Sequence, residues 1–185
     1  MDNGESSYRR YIDGDDRGLV DLIGIYKDGL TLYINTYVNN IFVAEELMEE
    51  TFFKLVTKKP KFQGKSTFKT WLFSIARNTT IDYLRRNRKI SFDSIDEHED
   101  FTREEETVEK EYLVKERKII VHRAMGNLKS DYFQVLYLTY FEEFSNDETA
   151  KIMKKNKRQI ENLVYRARNA LKKELEKEGF QYEEL

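Results

Sequence analysis

The chain has 185 residues, of which 39% are hydrophobic and 36% are charged, and its formal net charge is −2. This length suits one large domain or two small ones, and the apolar content is sufficient for real hydrophobic cores. The absence of cysteine excludes disulfides, thiolate metal sites and thiol catalysis, and the wide separation of His98 and His122 in the sequence argues against a zinc site.

The distribution of apolar residues indicates a helical protein outside the membrane. No apolar run approaches the roughly 20 residues that a bilayer-spanning helix needs. The first thirty residues are acidic and polar, unlike a secretory signal, so we expect a cytoplasmic protein. The high charge, with a single proline and eight glycines, is typical of long solvated helices.

The charges are segregated along the chain. Residues 1–50 carry a net charge of −7, residues 51–89 carry +10, residues 90–117 carry −7 and residues 151–177 carry +7. Two basic blocks separated by an acidic one suggest two contacts with a polyanion. Solvated helix faces are the alternative interpretation, and charge alone does not decide between the two.

Helical periodicity dominates the first half of the chain. Apolar residues recur at spacings of three and four between Leu19 and Tyr37, which predicts one buried stripe on a helix. A second helix is predicted over about 43–56, and Lys59-Pro60 ends it because the residue before proline disfavours α geometry. Residues 61–67 are predicted to form a loop, and a basic helix follows at 68–88.

The second half is predicted to form a separate helical domain. Residues 90–107 are acidic without helical periodicity and are interpreted as a linker. Periodicity resumes near Val108 and runs to about Met125, and a further helix is predicted at 130–143 with Ser130 as its N-cap. We therefore expect an all-α protein of two small helical domains, 14–89 and 108–178, joined by an acidic linker at 90–107.

Residues 145–177 predict a helix-turn-helix. Ser145 and Glu148 have the spacing of a capping box for a short helix ending near Met153, and Asn156 is positioned to cap a longer one. Lys154 occupies the turn position where glycine is common. Because a left-handed conformation costs a non-glycine residue roughly 1–2 kcal/mol, we expect this turn to be built differently.

The second helix of this motif presents polar side chains suited to base edges. Apolar residues between Ile160 and Leu171 fall on one side at 100° per residue. The opposite side offers guanidinium and amide groups, which read bases in the major groove, and lysines near the helix start would meet phosphates. An ordinary surface helix is the alternative. The predicted contacts are Lys155, Lys157, Arg158, Asn162, Tyr165 and Arg166.

Three stretches together resemble one bacterial family. They are AEELMEETF at 44–52, FQGKSTFKTWLFSIARNTTIDYLRR at 62–86 and VYRARNALKKEL at 164–175. In their order and spacing they are similar to RNA polymerase sigma factors of the extracytoplasmic-function group, a resemblance that covers about 16–176. It implies a region 2 domain that melts the promoter −10 element and holds the non-template strand, and a region 4 domain that reads the −35 duplex.

The resemblance places strand capture at the loop before the basic helix and along that helix. Its outward face combines cations with an aromatic ring, as single-stranded nucleic acid requires. The expected −10 strand contacts are Phe62, Gln63, Gly64, Lys65, Ser66, Lys69, Phe73, Arg77, Asn78, Arg85 and Arg88. In contrast, Trp71 is expected to be structural, because large aromatic residues dominate small cores.

The acidic stretch at 44–52 is the expected polymerase contact. In the resembling family this helix docks on the clamp helices of the β′ subunit, and acidic residues would complement a basic partner. The expected contacts are Glu45, Glu46, Glu49 and Glu50. Many members carry glutamine where this chain has Glu49. The resemblance also implies that the acidic linker threads toward the polymerase active-site cleft, and an ordinary solubilising linker is the alternative.

These observations give a main interpretation and two alternatives. The expected partners are core RNA polymerase, promoter DNA and, as in many members, an anti-sigma factor. No catalytic, metal or cofactor site is expected, because no carboxylate pair or nucleophile–base arrangement is evident. One alternative is a stand-alone helix-turn-helix regulator, which would lack a polymerase-docking helix. Another is a nucleic-acid-processing enzyme, which would need an active centre.

Overall fold

The computed structural model describes residues 4–90, 121 and 123–177, with side chains placed up to residue 87 in the first range. Helices form all the regular structure in this part of the chain, as predicted. The predicted linker lies outside the described residues apart from Ile90, as does the start of the helix expected from Val108. The helices are α1 (Glu5–Ile12), α2 (Arg17–Val38), α3 (Ile41–Lys58), α4 (Phe68–Ile90), α5 (Ser130–Leu136), α6 (Asn146–Met153) and α7 (Lys157–Lys177).

The N-terminal lobe consists of α2, α3 and α4 with α1 packed across them. The apolar stripe predicted on α2 is buried, and Leu22, Leu30 and Tyr33 are fully enclosed. The short α1 was missed by the sequence analysis. It approaches α2 closely because Gly18 has no side chain, and a Cβ there would lie 2.2 Å from the Ser7 carbonyl oxygen.

The ends of α3 follow from its sequence. The side chain of Asn40 accepts hydrogen bonds from the backbone N–H groups of Phe42 (3.0 Å) and Val43 (3.2 Å), which caps the first turn. The helix ends with Lys59 in a left-handed conformation, φ 39°, directly before Pro60. The predicted stop at Lys59-Pro60 is therefore confirmed.

The helix predicted at 130–143 is shorter and irregular. After α5 the chain forms one π-helical turn, Tyr137–Phe141, and leaves it with Glu143 in a left-handed conformation, φ 55°. The prediction that Ser130 caps this helix was wrong, since Lys129 stands at the cap position without a side-chain bond. The Ser130 hydroxyl instead donates to the Thr36 carbonyl at 3.1 Å, on the other lobe.

The helix-turn-helix is present as α6 and α7. Ser145 and Glu148 form the predicted capping box, and Asn156 exchanges hydrogen bonds with Gln159 at the start of α7. The expectation of an unusual turn was wrong. Lys154 adopts the left-handed conformation (φ 54°, ψ 44°), and its N–H bonds to the Ala150 carbonyl in the common way.

Helices α5, α6 and α7 belong to the C-terminal lobe. The two lobes pack against each other where α4 contacts α6 and where α2 contacts α5. Apolar side chains of both lobes form one continuous core in the described part of the chain. Across the contact, Phe73 of α4 meets Phe144 with 5.1 Å between ring centroids. Sequence patterns do not indicate this contact, because the α4 stripe that forms it has the helical spacing of a solvent-exposed face.

Candidate nucleic-acid interfaces

The exposed face of α7 matches the predicted DNA-reading face. Ile160 and Ala167 are fully buried on one side, while Arg158, Asn162 and Arg166 are exposed on the other. Tyr165 is also exposed, with 69% of its surface accessible. A shallow hollow of about 240 Å³ on this face is lined by Lys155, Gln159, Asn162, Leu163 and Arg166. Guanidinium and amide groups are thus presented together, as base readout requires.

The two predicted phosphate-binding lysines have acidic partners. Lys155 Nζ lies 3.4 Å from Asp131 Oδ2, and Lys157 Nζ lies 2.8 Å from Asp147 Oδ2. The hydrogen bond and charge of Asp147 raise the pKa of Lys157. Both pairs remain accessible to water, so a phosphate could displace the carboxylates at little cost.

The loop predicted to capture the −10 strand is exposed at its centre. Gln63, Gly64 and Lys65 are solvent-accessible, and Gly64 adopts φ +67° with open space where a Cβ would stand. Ser66 is half-buried. Phe62 is turned inward instead, with its ring 5.3 Å from Trp71 and 5.6 Å from Phe68. Trp71 is half-buried in this aromatic cluster, in line with the structural role expected for it.

Helix α1 forms the opposite wall of a cavity beside this loop. The cavity has a volume of about 620 Å³ and lies between α1 and residues 59–64. The Tyr8 hydroxyl donates to the Pro60 carbonyl at 2.7 Å and so holds the loop to the helix. Exposed Arg9 and Ile12 line the rim. The sequence analysis missed this wall, and the only signal for it is the pair Tyr8 and Tyr11, three residues apart.

Three of the predicted strand contacts on α4 are wholly or partly buried. Phe73 has no exposed surface, so the expectation that it lies on an open face was wrong for this arrangement. Lys69 is half-buried, and its Nζ lies 2.8 Å from Glu142 Oε2. Arg77 is also half-buried, and its Nε is enclosed without a hydrogen-bond partner among the described residues. Burial raises the pKa of Tyr37, an effect that the neighbouring Arg77 opposes.

The remaining predicted contacts on α4 follow the expected exposure. Asn78 and Arg85 are solvent-accessible, and Arg85 lies 4.0 Å from Asp82 in a weak surface pair. The side chain of Arg88 lies outside the described residues. The accessible part of the predicted strand surface therefore consists of the loop centre, Asn78 and Arg85.

The acidic face of α3 contains apolar residues that the sequence analysis overlooked. Glu45, Glu46 and Glu49 are exposed as predicted. Phe42 and Phe53 lie on the same face at helical spacing and are 70% and 63% exposed. Exposed aromatic rings among carboxylates are typical of a protein-docking surface.

Glu50 differs from the other three acids of this set. Its carboxylate lies 3.0 Å from Lys54 Nζ and 3.7 Å from Arg86 on α4, so it is turned toward the protein. Glu50 thus pairs with α4, and the fully exposed acids of the predicted polymerase contact are Glu45, Glu46 and Glu49.

The fold and these surfaces define a two-lobed helical protein with an exposed helix-turn-helix face on one lobe and an exposed loop before a basic helix on the other. No group of His, Cys, Asp or Glu side chains that could hold a metal occurs within the described ranges. Of the helices described, none is long and apolar enough to span a membrane.

Comparisons with known proteins identify the class. Residues 22–90 match the model of Sigma-70 region 2, and residues 118–171 match that of Sigma-70 region 4. The chain is 30% identical over 158 residues to RNA polymerase sigma factor YlaC of Bacillus subtilis, covering 85% of this chain and 91% of the relative. It is 28% identical over 171 residues to the ECF RNA polymerase sigma-E factor of Haemophilus influenzae, covering 88% and 90%. The chain belongs to the sigma-70 family of RNA polymerase sigma factors, in its extracytoplasmic-function group.

Solved structures share the same fold. CnrH, in complex with the cytosolic domain of CnrY, superposes with a TM-score of 0.66 at 20% identity, covering 95% of this chain and 98% of that one. The sigma factor RpoE of Bartonella quintana, in complex with the anti-sigma factor NepR, gives a TM-score of 0.65 at 22% identity, covering 84% and 95%. The match to both sigma regions disfavours the stand-alone regulator considered above.

Proposed function

We propose that this protein binds core RNA polymerase in the cytoplasm and directs it to promoters, without catalysis of its own. The observation that carries the proposal is the combination, in one chain, of an exposed acidic helix, the exposed loop that follows it and the exposed face of a helix-turn-helix. A sigma factor needs all three, whereas an autonomous duplex reader needs only the helix-turn-helix.

In this proposal α7 reads the −35 element as duplex. Arg158, Asn162 and Arg166 would enter the major groove, where Arg reads guanine and Asn reads adenine through paired hydrogen bonds. Tyr165 would contact a thymine methyl group or the backbone. Lys155 and Lys157 would exchange their carboxylate partners for phosphates and position the helix.

The loop at 62–66 would hold the displaced −10 strand. Gly64 allows the strand to approach the backbone closely, and Gln63 and Lys65 offer groups for a base edge and a phosphate. Asn78 and Arg85 extend this surface along α4. The cavity between the loop and α1, of about 620 Å³, falls within the usual size range of ligand pockets, which supports the loop as the capture site.

The exposed face of α3 would dock on the polymerase. Phe42 and Phe53 supply apolar area that would be removed from water on binding. Glu45, Glu46 and Glu49 supply charge complementary to a basic partner. An anti-sigma factor is a further proposed partner, because the similar sigma factor RpoE is bound to the anti-sigma factor NepR in its solved structure.

DNase footprinting on a candidate promoter tests the proposal. The protein alone should protect little, because the chain is acidic overall and gains little from counterion release. Addition of core RNA polymerase should produce a footprint spanning both promoter elements. Strong protection of a symmetric duplex site by the protein alone, unchanged by the polymerase, would overturn it.

A further inference from the structure

Residues 142–148 lie on the part of α4 that the sequence analysis predicted as strand-binding surface. Lys69 Nζ donates to the Glu142 carbonyl oxygen at 2.7 Å, pairs with the Glu142 carboxylate at 2.8 Å, and lies 4.7 Å from the centre of the Phe144 ring. The Phe144 ring meets Phe73 edge-on, with the ring planes at 73°. This segment, called the acidic turn below, thus covers α4 with an anionic group and an aromatic ring.

A second carboxylate of the acidic turn binds beside the first. Glu148 Oε1 accepts hydrogen bonds from the hydroxyls of Thr70 (3.0 Å) and Thr67 (3.1 Å), and the Thr70 N–H in turn donates to the Thr67 hydroxyl at 3.2 Å. Two hydroxyl donors converging on one anionic oxygen form an arrangement that accepts a phosphate oxygen equally well. Thr67 and Thr70 were not among the residues predicted to contact DNA.

The groups that hold the acidic turn are of the same chemical types as those with which proteins bind single-stranded DNA. Proteins bind such strands with cations and polar donors on the phosphates and with aromatic rings against the bases. Here an ammonium and two hydroxyls bind two carboxylates, while Phe73 contacts an aromatic ring between them in sequence. Phe73 is fully buried and Phe144 is 5% exposed, so no strand reaches this surface while the lobes stay in contact.

The shape of the acidic turn is fixed by features of both lobes. The Tyr137 hydroxyl lies 3.0 Å from Glu142 Oε1 and 3.3 Å from the Gly29 carbonyl oxygen on α2. Gly29 leaves the space that this carboxylate occupies, since a Cβ there would lie 2.5 Å from Glu142 Oε1. The left-handed Glu143 then redirects the chain toward Phe144.

We propose that the acidic turn is a built-in competitor for single-stranded DNA, occupying the phosphate and base positions of α4 until the lobes separate. This inference rests on the proposed function, because the strand is the ligand that the proposed function supplies. It also assigns Thr67 and Thr70 as phosphate-binding residues. Separation of the lobes on the polymerase would uncover this site at the place where a single strand is available.

Binding of a fluorescent single-stranded 15-mer of thymidine to the full chain tests this proposal, because stacking surfaces tolerate any base. The variant E142Q/E148Q should bind the 15-mer about tenfold more tightly than the wild type, as the loss of roughly 1.4 kcal/mol of lobe contact implies. The charge-matched control D16N/E176Q removes two exposed acids outside residues 142–148 and should change affinity far less.

A second pair of variants separates lobe opening from charge. Gly29→Ala should open the contact by displacing Glu142 without altering charge, and should also tighten binding of the 15-mer. Gly24→Ala is the matched control, because it lies on the same helix with open space at the Cβ position. The cysteine-free chain allows dyes at Asp13→Cys and Lys173→Cys, whose energy transfer should fall in Gly29→Ala and not in Gly24→Ala.

The outcomes distinguish this proposal from the proposed function. The wild type, E142Q/E148Q and Gly29→Ala could bind the 15-mer with equal affinity although energy transfer is reduced in the variants. That result would overturn the proposal that the acidic turn competes with single-stranded DNA. Unchanged energy transfer in folded Gly29→Ala would overturn the assignment of the contact. Either result leaves promoter footprinting with core polymerase intact, and failure of that footprinting alone would refute the sigma-factor function.

Discussion

Lys154 stands in a left-handed backbone conformation that glycine adopts at no steric cost. The short turn between α6 and α7 requires this conformation, and the Lys154 side chain extends into solvent. Glu143 and Lys59 occupy the same region of conformational space at two other helix ends. The chain therefore stores backbone strain at points where its direction changes sharply.

Replacement of Lys154 by glycine should raise the free energy of unfolding by about 1 kcal/mol, since the left-handed penalty is removed. The melting temperature should rise by roughly 2–4 °C for a domain of this size. Lys173→Gly, within α7, is the control and should lower stability by about 1 kcal/mol. Calorimetric melting of the wild type and the two variants measures these changes. A lower melting temperature for Lys154→Gly would show that the turn carries no strain.

Glu148 gives the lobe contact a dependence on pH. Partial burial raises its pKa, but hydrogen bonds from Ser145, Thr70 and Thr67 outweigh burial, and the pKa of Glu148 lies below its usual 4.5. Because the pKa is lowered by folding, this stabilisation is present above pH 4.5 and is lost as the pH falls through the lowered value.

The wild type should consequently lose more lobe contact than Glu148→Gln when the pH is lowered from about 6 to about 3. Energy transfer between the two labelled lobes measures the contact, and unfolding is monitored in parallel by circular dichroism. Identical pH profiles for the wild type and Glu148→Gln would contradict the role given to this carboxylate.

At the scale of elements, periodicity predicts the long helices and fails for the short ones. Helices α2, α3, α4 and α7 span enough turns for their apolar stripes to stand out, and all four were predicted. Helix α1 has eight residues and only Tyr8 and Tyr11 as buried rings, so its pattern is too short to recognise. The π-helical turn and the cap at Lys129 depend on contacts with α2, which no local pattern encodes.

The exposed face of α7 carries the prediction at the scale of elements. Asn162→Ala or Arg166→Ala should cost about 1–3 kcal/mol of discrimination at one base pair of the −35 element, as expected for a lost paired hydrogen bond. Promoter occupancy with core polymerase should fall on the intact element and hardly change once that base pair is substituted. Lys177→Ala, at the end of α7, is the control. An equal loss on every −35 sequence would reduce the role of these residues to phosphate contact.

At the scale of the whole molecule, the lobe contact changes which predicted site residues are accessible. The loop centre at 63–65, Asn78, Arg85 and the face of α7 are open. In contrast, Lys69 and Phe73 lie against the second lobe, and Arg77 is half-buried. Sequence patterns indicated that this stripe is chemically suited to DNA. They could not indicate that the second lobe covers it, because a face buried between lobes and a face exposed to solvent have the same helical spacing.

Run-off transcription with core RNA polymerase tests the central claim most directly. The wild type should yield a discrete promoter-dependent transcript. Gln63→Ala/Lys65→Ala should lose most of the transcript while keeping its binding to the −35 duplex, and Lys58→Ala, on the neighbouring helix, should behave as the wild type. Absence of a transcript from any promoter with folded wild-type protein and active core polymerase would contradict the account.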